Sequence, residues 1–170
     1  YLLLNLALGG VNGGEPDDKA FPMRYEIDYV RVYQKEKMIR SGELWPDNEG
    51  NHINAHGGGV LHLGNKYYWF GEHKSATTSS ALVGVTCYSS TDLCNWTNEG
   101  VALSVSDDPA SDIVKGCIIE RPKVIYNNKT KKFVMWFHLE LKDKGYAAAR
   151  AAVAVSDQAT GPYQFIGSFR

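Results

Sequence analysis

The sequence lacks the features that mark several large classes of protein. Its 170 residues carry a net charge of −1, so no excess of either sign points to nucleic acid or to an anionic membrane as a partner. No apolar run approaches the ~20 residues that a membrane-spanning helix needs. No signal peptide is visible either. We therefore expect no nucleic-acid partner and no membrane span.

Cysteine is scarce as well. The chain has three cysteines, Cys87, Cys94 and Cys117, and their spacings match no metal-binding motif. Two interpretations stay open. The three residues are free thiols, either buried or at the surface, or two of them form a disulfide and one thiol is left over.

Glycine and aromatic residues, in contrast, are plentiful, with 17 Gly and 12% aromatics. Val, Ile, Tyr, Phe and Trp fall in short runs, which is typical of strands rather than helices. The sequence therefore predicts an all-β fold, long enough to bury a sizeable core. The chain starts at Tyr1 inside one apolar run and stops at Arg170 directly after another. We interpret it as a piece of a longer protein.

The first 34 residues have a strand-like pattern. Leu2–Gly10 is an apolar run that ends in two glycines, and a polar loop follows. Met23–Gln34 then alternates in a way that predicts a strand with two partly buried faces, as in the inner layer of a sandwich. Residues 35–41 are charged and lack strand periodicity, so they are predicted to link this first domain to a second one at 42–170.

Residues 42–170 contain an internal repeat. KYYWF at Lys66–Phe70 aligns with KFVMW at Lys132–Trp136, 66 residues later. Each copy reads as four short strands, and four-strand units at a fixed period are typical of β-propeller blades. The predicted strands of the first copy are 58–63, 67–72, 82–89 and 96–103. Those of the second copy are 123–126, 133–139, 147–155 and 163–169.

One stretch of the second copy carries charge where burial is expected. Gly116–Glu140 reads as two apolar runs joined by a polar turn, which predicts a hairpin. Glu120 and Arg121 lie at its mouth, and burying either one unpaired costs several kcal/mol. Neighbouring strand residues point to opposite faces, so we expect the two not to pair and Glu120 to face a cavity. The alternative is a structural Glu120–Arg121 pair.

Two further predictions concern structure alone. Asp92, in a Ser-Thr-Asp turn, is predicted to accept hydrogen bonds from nearby backbone N–H groups. Trp69, Trp96 and Trp136 are predicted to fill the layers between blades, because large aromatic side chains dominate such packing.

The first domain resembles the C-terminal end of glycoside hydrolase family 16, the laminarinase group. The resemblance lies in LLLNLALGG (Leu2–Gly10), Phe21-Pro22 and IDYVRVYQ (Ile27–Gln34). It implies late strands of a β-jelly roll without that family's catalytic carboxylates. Some members bind a structural calcium through the Asp of the closing strand, here Asp28. A salt-bridged or capping Asp28 is the alternative, because one carboxylate does not make a site of about six to eight oxygens.

The second domain resembles glycoside hydrolase family 43, whose members are five-bladed propellers. Its motifs are INAHGGGVL (53–61), KYYWFGEHK (66–74), YSSTDLCNW (88–96), GCIIERPKVIYN (116–127), FVMWFHLE (133–140) and AVSDQATGPY (154–163). AHGGG, WFGE and ERPKVIYN are most similar to the exo-β-1,3-galactanase branch. The resemblance implies a secreted parent enzyme that hydrolyses β-1,3-galactan, including arabinogalactan backbones, with inversion. This chain would hold two blades and be inactive alone.

The resemblance also implies roles for single residues. Inversion needs an acid and a base ~6.5–9.5 Å apart, and the family adds a third carboxylate that raises the pKa of the acid. Glu120 occupies the position of that third carboxylate. Most of the family has an Asp that acts as the general base. This chain has His56-Gly57-Gly58 at the matching position, so its general base is not assigned. The acid is expected beyond Arg170. His56 orients water, binds sugar, or is structural.

The remaining candidates are sugar contacts. Glu72 is expected to bind a sugar hydroxyl, or else to be an ordinary exposed turn residue. Tyr146 stacks on a sugar face or simply packs. His138 and Glu140 line the cavity or satisfy backbone groups. No cofactor is required by this interpretation, and a structural calcium at Asp28 is the one metal considered.

Two rival functions stay open. In a non-catalytic carbohydrate-binding propeller, Glu120 and Glu72 would only hold sugar hydroxyls. Another family 43 specificity, such as arabinofuranosidase or xylosidase, keeps the fold and changes the substrate, although the missing Asp argues against it.

Overall fold

The computed structural model describes residues 14–22, 24–32, 37–75 and 80–170. The chain divides into two compact units, Tyr1–Gln34 and Lys35–Arg170. In the described part, no helix has the length and apolar character that crossing a membrane requires. The proposed roles of 1–34 as a jelly-roll piece and of 35–41 as a linker stay predictions.

The strand predicted at Met23–Gln34 is wrong for the described residues 24–32, which form no strand. Tyr25 is 53% exposed, Ile27 45% and Val32 84%. Alternation supplies the side-chain pattern of a strand, but its backbone groups also need a neighbouring strand. No sheet among the described residues pairs with this segment. The predicted strand Leu2–Gly10 lies outside the described residues, and a 3₁₀ turn at Asp18–Ala20 is the one regular element that the structure describes in this unit.

The second unit consists of two four-stranded antiparallel sheets, which confirms the all-β prediction for the described residues. The first sheet has the order β1 (His56–Leu63), β2 (Lys66–Glu72), β3 (Gly84–Ser90), β4 (Thr97–Ser104). The second has the order β5 (Ile118–Asn127), β6 (Lys132–Glu140), β7 (Arg150–Ser156), β8 (Gln164–Phe169). All eight predicted strands are present. The largest boundary shift is at β5, which begins at Ile118 instead of 123.

The core of this unit lies between the two sheets. Phe70, Val85 and Leu103 of the first sheet are buried in one cluster with Ile119, Met135 and Leu139 of the second. Cys87 and Cys117 are buried in the same cluster, and all three cysteines are free thiols. The two sheets are therefore packed face to face around a common apolar layer, as successive blades would be.

The tryptophans do not all behave alike. Trp69 and Trp96 pack together with ring centroids 5.3 Å apart, and Trp45 contacts both. This cluster also holds Ile53 and Ala55 and is separate from the core between the two sheets, so these two side chains are packed but do not fill the layer between the described sheets. Trp136 is 41% exposed. It occupies the repeat position of Phe70, which is fully buried and contacts Tyr163 of the second copy at 6.1 Å. No sheet among the described residues covers Trp136 in the way that the second sheet covers Phe70.

Asp92 caps the turn between β3 and β4, as predicted. Its Oδ1 accepts hydrogen bonds from the backbone N–H groups of Cys94 (2.9 Å) and Asn95 (2.8 Å), and its Oδ2 accepts one from Asn95 Nδ2 (3.0 Å). The backbone hydrogen bond from Asn95, followed by its side-chain bond and the one from Cys94, holds the pKa of the Asp92 carboxyl well below its usual range. The turn is thus stabilised by an ionised side chain.

Asp92→Ala is expected to lower the free energy of unfolding by about 1 kcal/mol, because two backbone N–H groups lose their acceptor. A depressed folded-state pKa gives stabilisation that is present above the unfolded-state pKa and is lost as pH falls through the folded-state value. The difference from wild type, measured by denaturant titration at pH 7, should therefore shrink in strong acid. Asp107→Ala, at an exposed position, is the control. It should leave the free energy of unfolding unchanged both at pH 7 and in strong acid. An equal deficit at both pH values would refute the charge-based explanation.

Candidate active site

The predicted site residues come together where β1, β2, β5 and β6 meet. His56 pairs with Glu72 across β1 and β2, and Glu120 pairs with His138 across β5 and β6. The two sheets are joined here by the Arg121 N–H, which donates to Glu72 Oε1 at 3.0 Å. Tyr146 reaches the cluster from the loop between β6 and β7. The structure therefore places all five candidates of the second domain in one region.

Glu72 lies at the junction of the sheets and is 6% exposed. Besides the Arg121 N–H on Oε1, its Oε2 lies 2.6 Å from Lys74 Nζ. An ideal Cβ on Gly57, which has a φ of +56°, would lie 2.7 Å from Glu72 Oε1, so the glycine lets β1 pass close to the carboxylate. The interpretation of Glu72 as an exposed turn residue is wrong.

Lys74 was missed by sequence reasoning. The signal was present, because Lys74 follows Glu72 by two residues in WFGEHK and such residues share a face when the backbone is extended. Its ammonium group supplies the opposite charge that a buried carboxylate requires.

Glu120 is a partly buried carboxylate with two strong donors. Its side chain is 16% exposed, the Tyr146 hydroxyl donates to Oε1 at 2.6 Å, and Arg121 Nη2 donates to Oε2 at 3.0 Å. The Tyr146 hydrogen bond is the largest influence on the pKa of Glu120. Together with the Arg121 and Lys74 charges it outweighs burial and lowers that pKa. Glu120 is therefore held ionised.

The expectation that Glu120 and Arg121 would not pair is wrong. Strand alternation fails at this point, since the register shifts between Glu120 and Lys123 and Arg121 has a φ of 54°. This bulge lets two consecutive side chains meet. The pair does not remove Glu120 from the cluster, because its other oxygen still faces Tyr146.

Tyr146 and His138 form the wall beside Glu120. Tyr146 is 60% exposed, and its ring lies nearly parallel to that of His138, with centroids 6.3 Å apart and an interplanar angle of 13°. The hydrogen bond to Glu120, with burial and the Glu120 charge, raises the pKa of Tyr146. The phenol is therefore protonated and presents an open aromatic face.

Glu140 is almost completely buried, with 1% of its surface exposed. Its Oε2 accepts hydrogen bonds from the N–H groups of Ala148 (2.8 Å) and Ala149 (2.9 Å), which confirms that it satisfies backbone groups. Burial opposes ionisation, but these two bonds and the neighbouring His138 outweigh it, so the pKa of Glu140 lies below its usual value. Neither Glu120 nor Glu140 is therefore suited to act as a general acid, which needs a raised pKa.

His56 and Asp28 differ from these residues. His56 is exposed at the start of β1, so it is open to a ligand. Asp28 is exposed in the first unit, and among the described residues no three His, Cys, Asp or Glu side chains are grouped as metal ligands. One carboxylate does not fit a calcium site, and the calcium assignment stays a prediction.

Comparison with solved structures gives clear similarities, whereas no family model and no curated protein matches the sequence. A glycoside hydrolase family 43 β-1,3-galactosidase, solved with galactodeoxynojirimycin, is 64% identical, with a TM-score of 0.76. The match covers 78% of this chain and 38% of that one. The chain is similar to family 43 enzymes in both sequence and fold.

Two galactanases show the same similarity. A variant of the exo-β-1,3-galactanase from Phanerochaete chrysosporium, solved with β-1,3-galactotriose, is 43% identical with a TM-score of 0.72, over 78% of this chain and 30% of its own. The exo-β-1,3-galactanase from Clostridium thermocellum is 45% identical with a TM-score of 0.70, over 79% of this chain and 28% of its own. The chain thus spans between 28% and 38% of the length of these family 43-like relatives.

Proposed function

We propose that the chain is part of a family 43 glycoside hydrolase that releases galactose from β-1,3-galactan with inversion. The observation that carries this proposal is the 64% identity to a family 43 β-1,3-galactosidase. Similarity to two exo-β-1,3-galactanases supports the substrate. The clustered carboxylates beside an exposed tyrosine support it too, because sugar sites combine hydrogen-bonding groups with an aromatic face.

Glu120 has the central role in this proposal. Its ionised carboxylate would lie near the general acid, whose pKa it would raise by like-charge proximity. Its own low pKa, set first by the Tyr146 hydrogen bond, keeps that negative charge in place across the neutral range. Glu120 would therefore assist the reaction without transferring the proton itself.

The other residues would bind the sugar. Tyr146 offers its exposed ring as a stacking surface, with His138 behind it. Among the described residues, each oxygen of Glu72 has one partner, the Arg121 N–H or the Lys74 ammonium group, and a further lone pair can accept a hydrogen bond from a sugar hydroxyl. His56, exposed opposite Glu72, would bind a hydroxyl or a water.

The finer architecture is also proposed. The outer face of the second sheet carries large apolar side chains that are open to solvent. Four of them are 41–59% exposed, namely Ile125, Trp136, Ile166 and Phe169. By the repeat, this face corresponds to the face of the first sheet that the second one covers. A third four-stranded sheet would therefore seat here, as in a five-bladed propeller. The resemblance to family 16 supports a jelly-roll tail at 1–34, and both resemblances support secretion.

A binding module is the second candidate function. It is favoured by one observation, that the pKa values of Glu120 and Glu140 are both lowered, so neither of these two carboxyl groups is suited to act as the general acid. In that case the same cluster would hold sugar hydroxyls without cleaving a bond.

The full-length protein is expected to release galactose from β-1,3-galactan. Chromatography would identify the product, and proton NMR at early times should show the α-anomer, since inversion converts a β-linkage into an α-product. β-1,4-Galactan and β-1,3-glucan serve as control polymers. Cleavage of another glycan without galactose release from β-1,3-galactan would overturn the substrate proposal.

A further inference from the structure

We propose that Glu140 is a positioning residue, which holds the β6–β7 loop so that the Tyr146 hydroxyl meets Glu120. The inference rests on the proposed function only in treating Tyr146 and Glu120 as substrate-facing groups. Glu140 is 1% exposed, so it cannot contact a substrate and acts through the loop.

The first step of the argument is the anchoring of the loop. The N–H groups of Ala148 and Ala149, two and three residues after Tyr146, both donate to Glu140 Oε2. The other backbone bonds described within 141–149, Lys144 N–H to the Leu141 carbonyl and Ala147 N–H to the Lys144 carbonyl, shape the turn but do not tie it to the sheet. Glu140 therefore joins the end of the loop to β6.

The second step is that the loop needs such support. Ala149 has a φ of 45°, a left-handed conformation that is energetically costly for an L-residue. A charge-assisted hydrogen bond to its own N–H can offset that cost. Without the carboxylate, the left-handed conformation of Ala149 loses its stabilising hydrogen bond. The backbone is then expected to change conformation there, and Tyr146 would move with it.

The third step concerns the imidazole of His138, whose ring lies beside that of Tyr146. β6 places His138 and Glu140 two residues apart, so both point to the same face. His138 Nε2 lies 2.9 Å from Glu140 Oε1, and the His138 ring is nearly parallel to the Tyr146 ring. Glu140 therefore lies against both the backbone of the loop and the imidazole beside Tyr146.

The decisive experiment does not require activity. In the full-length protein, ¹³C NMR of labelled glutamate would follow the titration of Glu120, assigned with Glu120→Gln. Tyr146→Phe should raise the pKa of Glu120, because the largest influence lowering it is removed. Glu140→Ala should raise it by a similar amount, and the double variant by no more than either single one. Glu140→Gln keeps an oxygen for the two N–H groups and should stay closer to wild type.

Lys144→Ala, exposed on the same loop, is the matched control and should leave the titration unchanged. If Glu140→Ala does not fold, Glu140→Asp withdraws the carboxylate while keeping its charge and should give a smaller rise. An unchanged Glu120 titration in the folded Glu140 variants, or additive shifts in the double variant, overturns the proposal.

Kinetics on β-1,3-galactan then test the consequence. Glu140→Ala should lower kcat/KM about tenfold or more, and Glu140→Ala with Tyr146→Phe should be no slower than the slower single variant. Multiplicative losses would mean that Glu140 acts independently of Tyr146 and would overturn the proposal. If wild type does not cleave β-1,3-galactan, the proposed function fails, and the titration alone still decides the role of Glu140.

Discussion

Glu120→Gln in the full-length protein is expected to lower kcat on β-1,3-galactan by about 10²–10³-fold, within the range seen for groups that assist proton transfer. Glutamine keeps the size of the side chain and a partner for Tyr146, but it removes the negative charge. Binding of a galactan oligosaccharide, measured by calorimetry, should change only modestly. The loss therefore falls on the chemical step.

The pH profile provides a separate test of the same role. A neighbouring carboxylate raises the pKa of a general acid, so removing its charge lets that pKa fall. The alkaline limb of the kcat profile, which reports the acid in the complex, should therefore move to lower pH in Glu120→Gln. Wild type keeps Glu120 ionised because of its own lowered pKa.

Glu49→Gln is the matched control, since Glu49 is exposed and lies outside the cluster. It should leave both kcat and the pH profile unchanged. The binding-module interpretation gives a different outcome, in which wild type has no rate to lose and Glu120→Gln only weakens sugar binding. A normal kcat in the Glu120→Gln enzyme would show that the charge of Glu120 does not assist the reaction.

The second unit could be predicted from sequence because its signals are local. Runs of alternating apolar and polar residues, separated by turns rich in Gly, Asn and Asp, predict strands wherever a sheet forms. The internal repeat grouped these strands into two four-strand units, so each strand had neighbours to pair with. The start of β5 was missed because Glu120, Arg121 and Pro122 interrupt the apolar pattern. The bulge at Arg121 depends on a positive φ that alternation does not encode.

The predicted strand was wrong at 24–32 for the opposite reason, because the information that the prediction needed is not local. Its alternation is as regular as that of the true strands, but pairing is a property of two segments, and this one has no partner among the described residues. A pattern within one segment cannot supply that information.

For the site, the sequence indicated which residues matter but not how they contact one another. Glu72, Glu120 and His138 could be located because they fall at strand ends that the topology brings together. The hydrogen bond from Tyr146 to Glu120 and the burial of Glu140 could not, because both depend on the path of the 141–149 loop. That path is held by the hydrogen bonds from the Ala148 and Ala149 N–H groups to Glu140 and from Tyr146 to Glu120, which the residue pattern does not encode.

Gly71→Ala is expected to be the most destabilising of the substitutions considered, by about 3 kcal/mol or more, at the upper end of the usual cost of overpacking. Gly71 is buried in β2 beside Glu72. A Cβ there would overlap the backbone atoms of Ala55, which is itself 4% exposed. Backbone cannot yield as the end of a flexible side chain can, so the start of β1 has to move.

Gly167→Ala is the control, because the same methyl group at Gly167 meets nothing within 4 Å. It should change the free energy of unfolding by less than about 1 kcal/mol, and in the stabilising direction if the unfolded chain loses freedom. Denaturant titration and soluble yield of the two variants provide the comparison. Because Ala55 precedes His56, any folded Gly71→Ala protein should also bind sugar more weakly. Equal stability of the two variants would show that β1 and β2 are less closely packed than the Ala55–Gly71 contact requires.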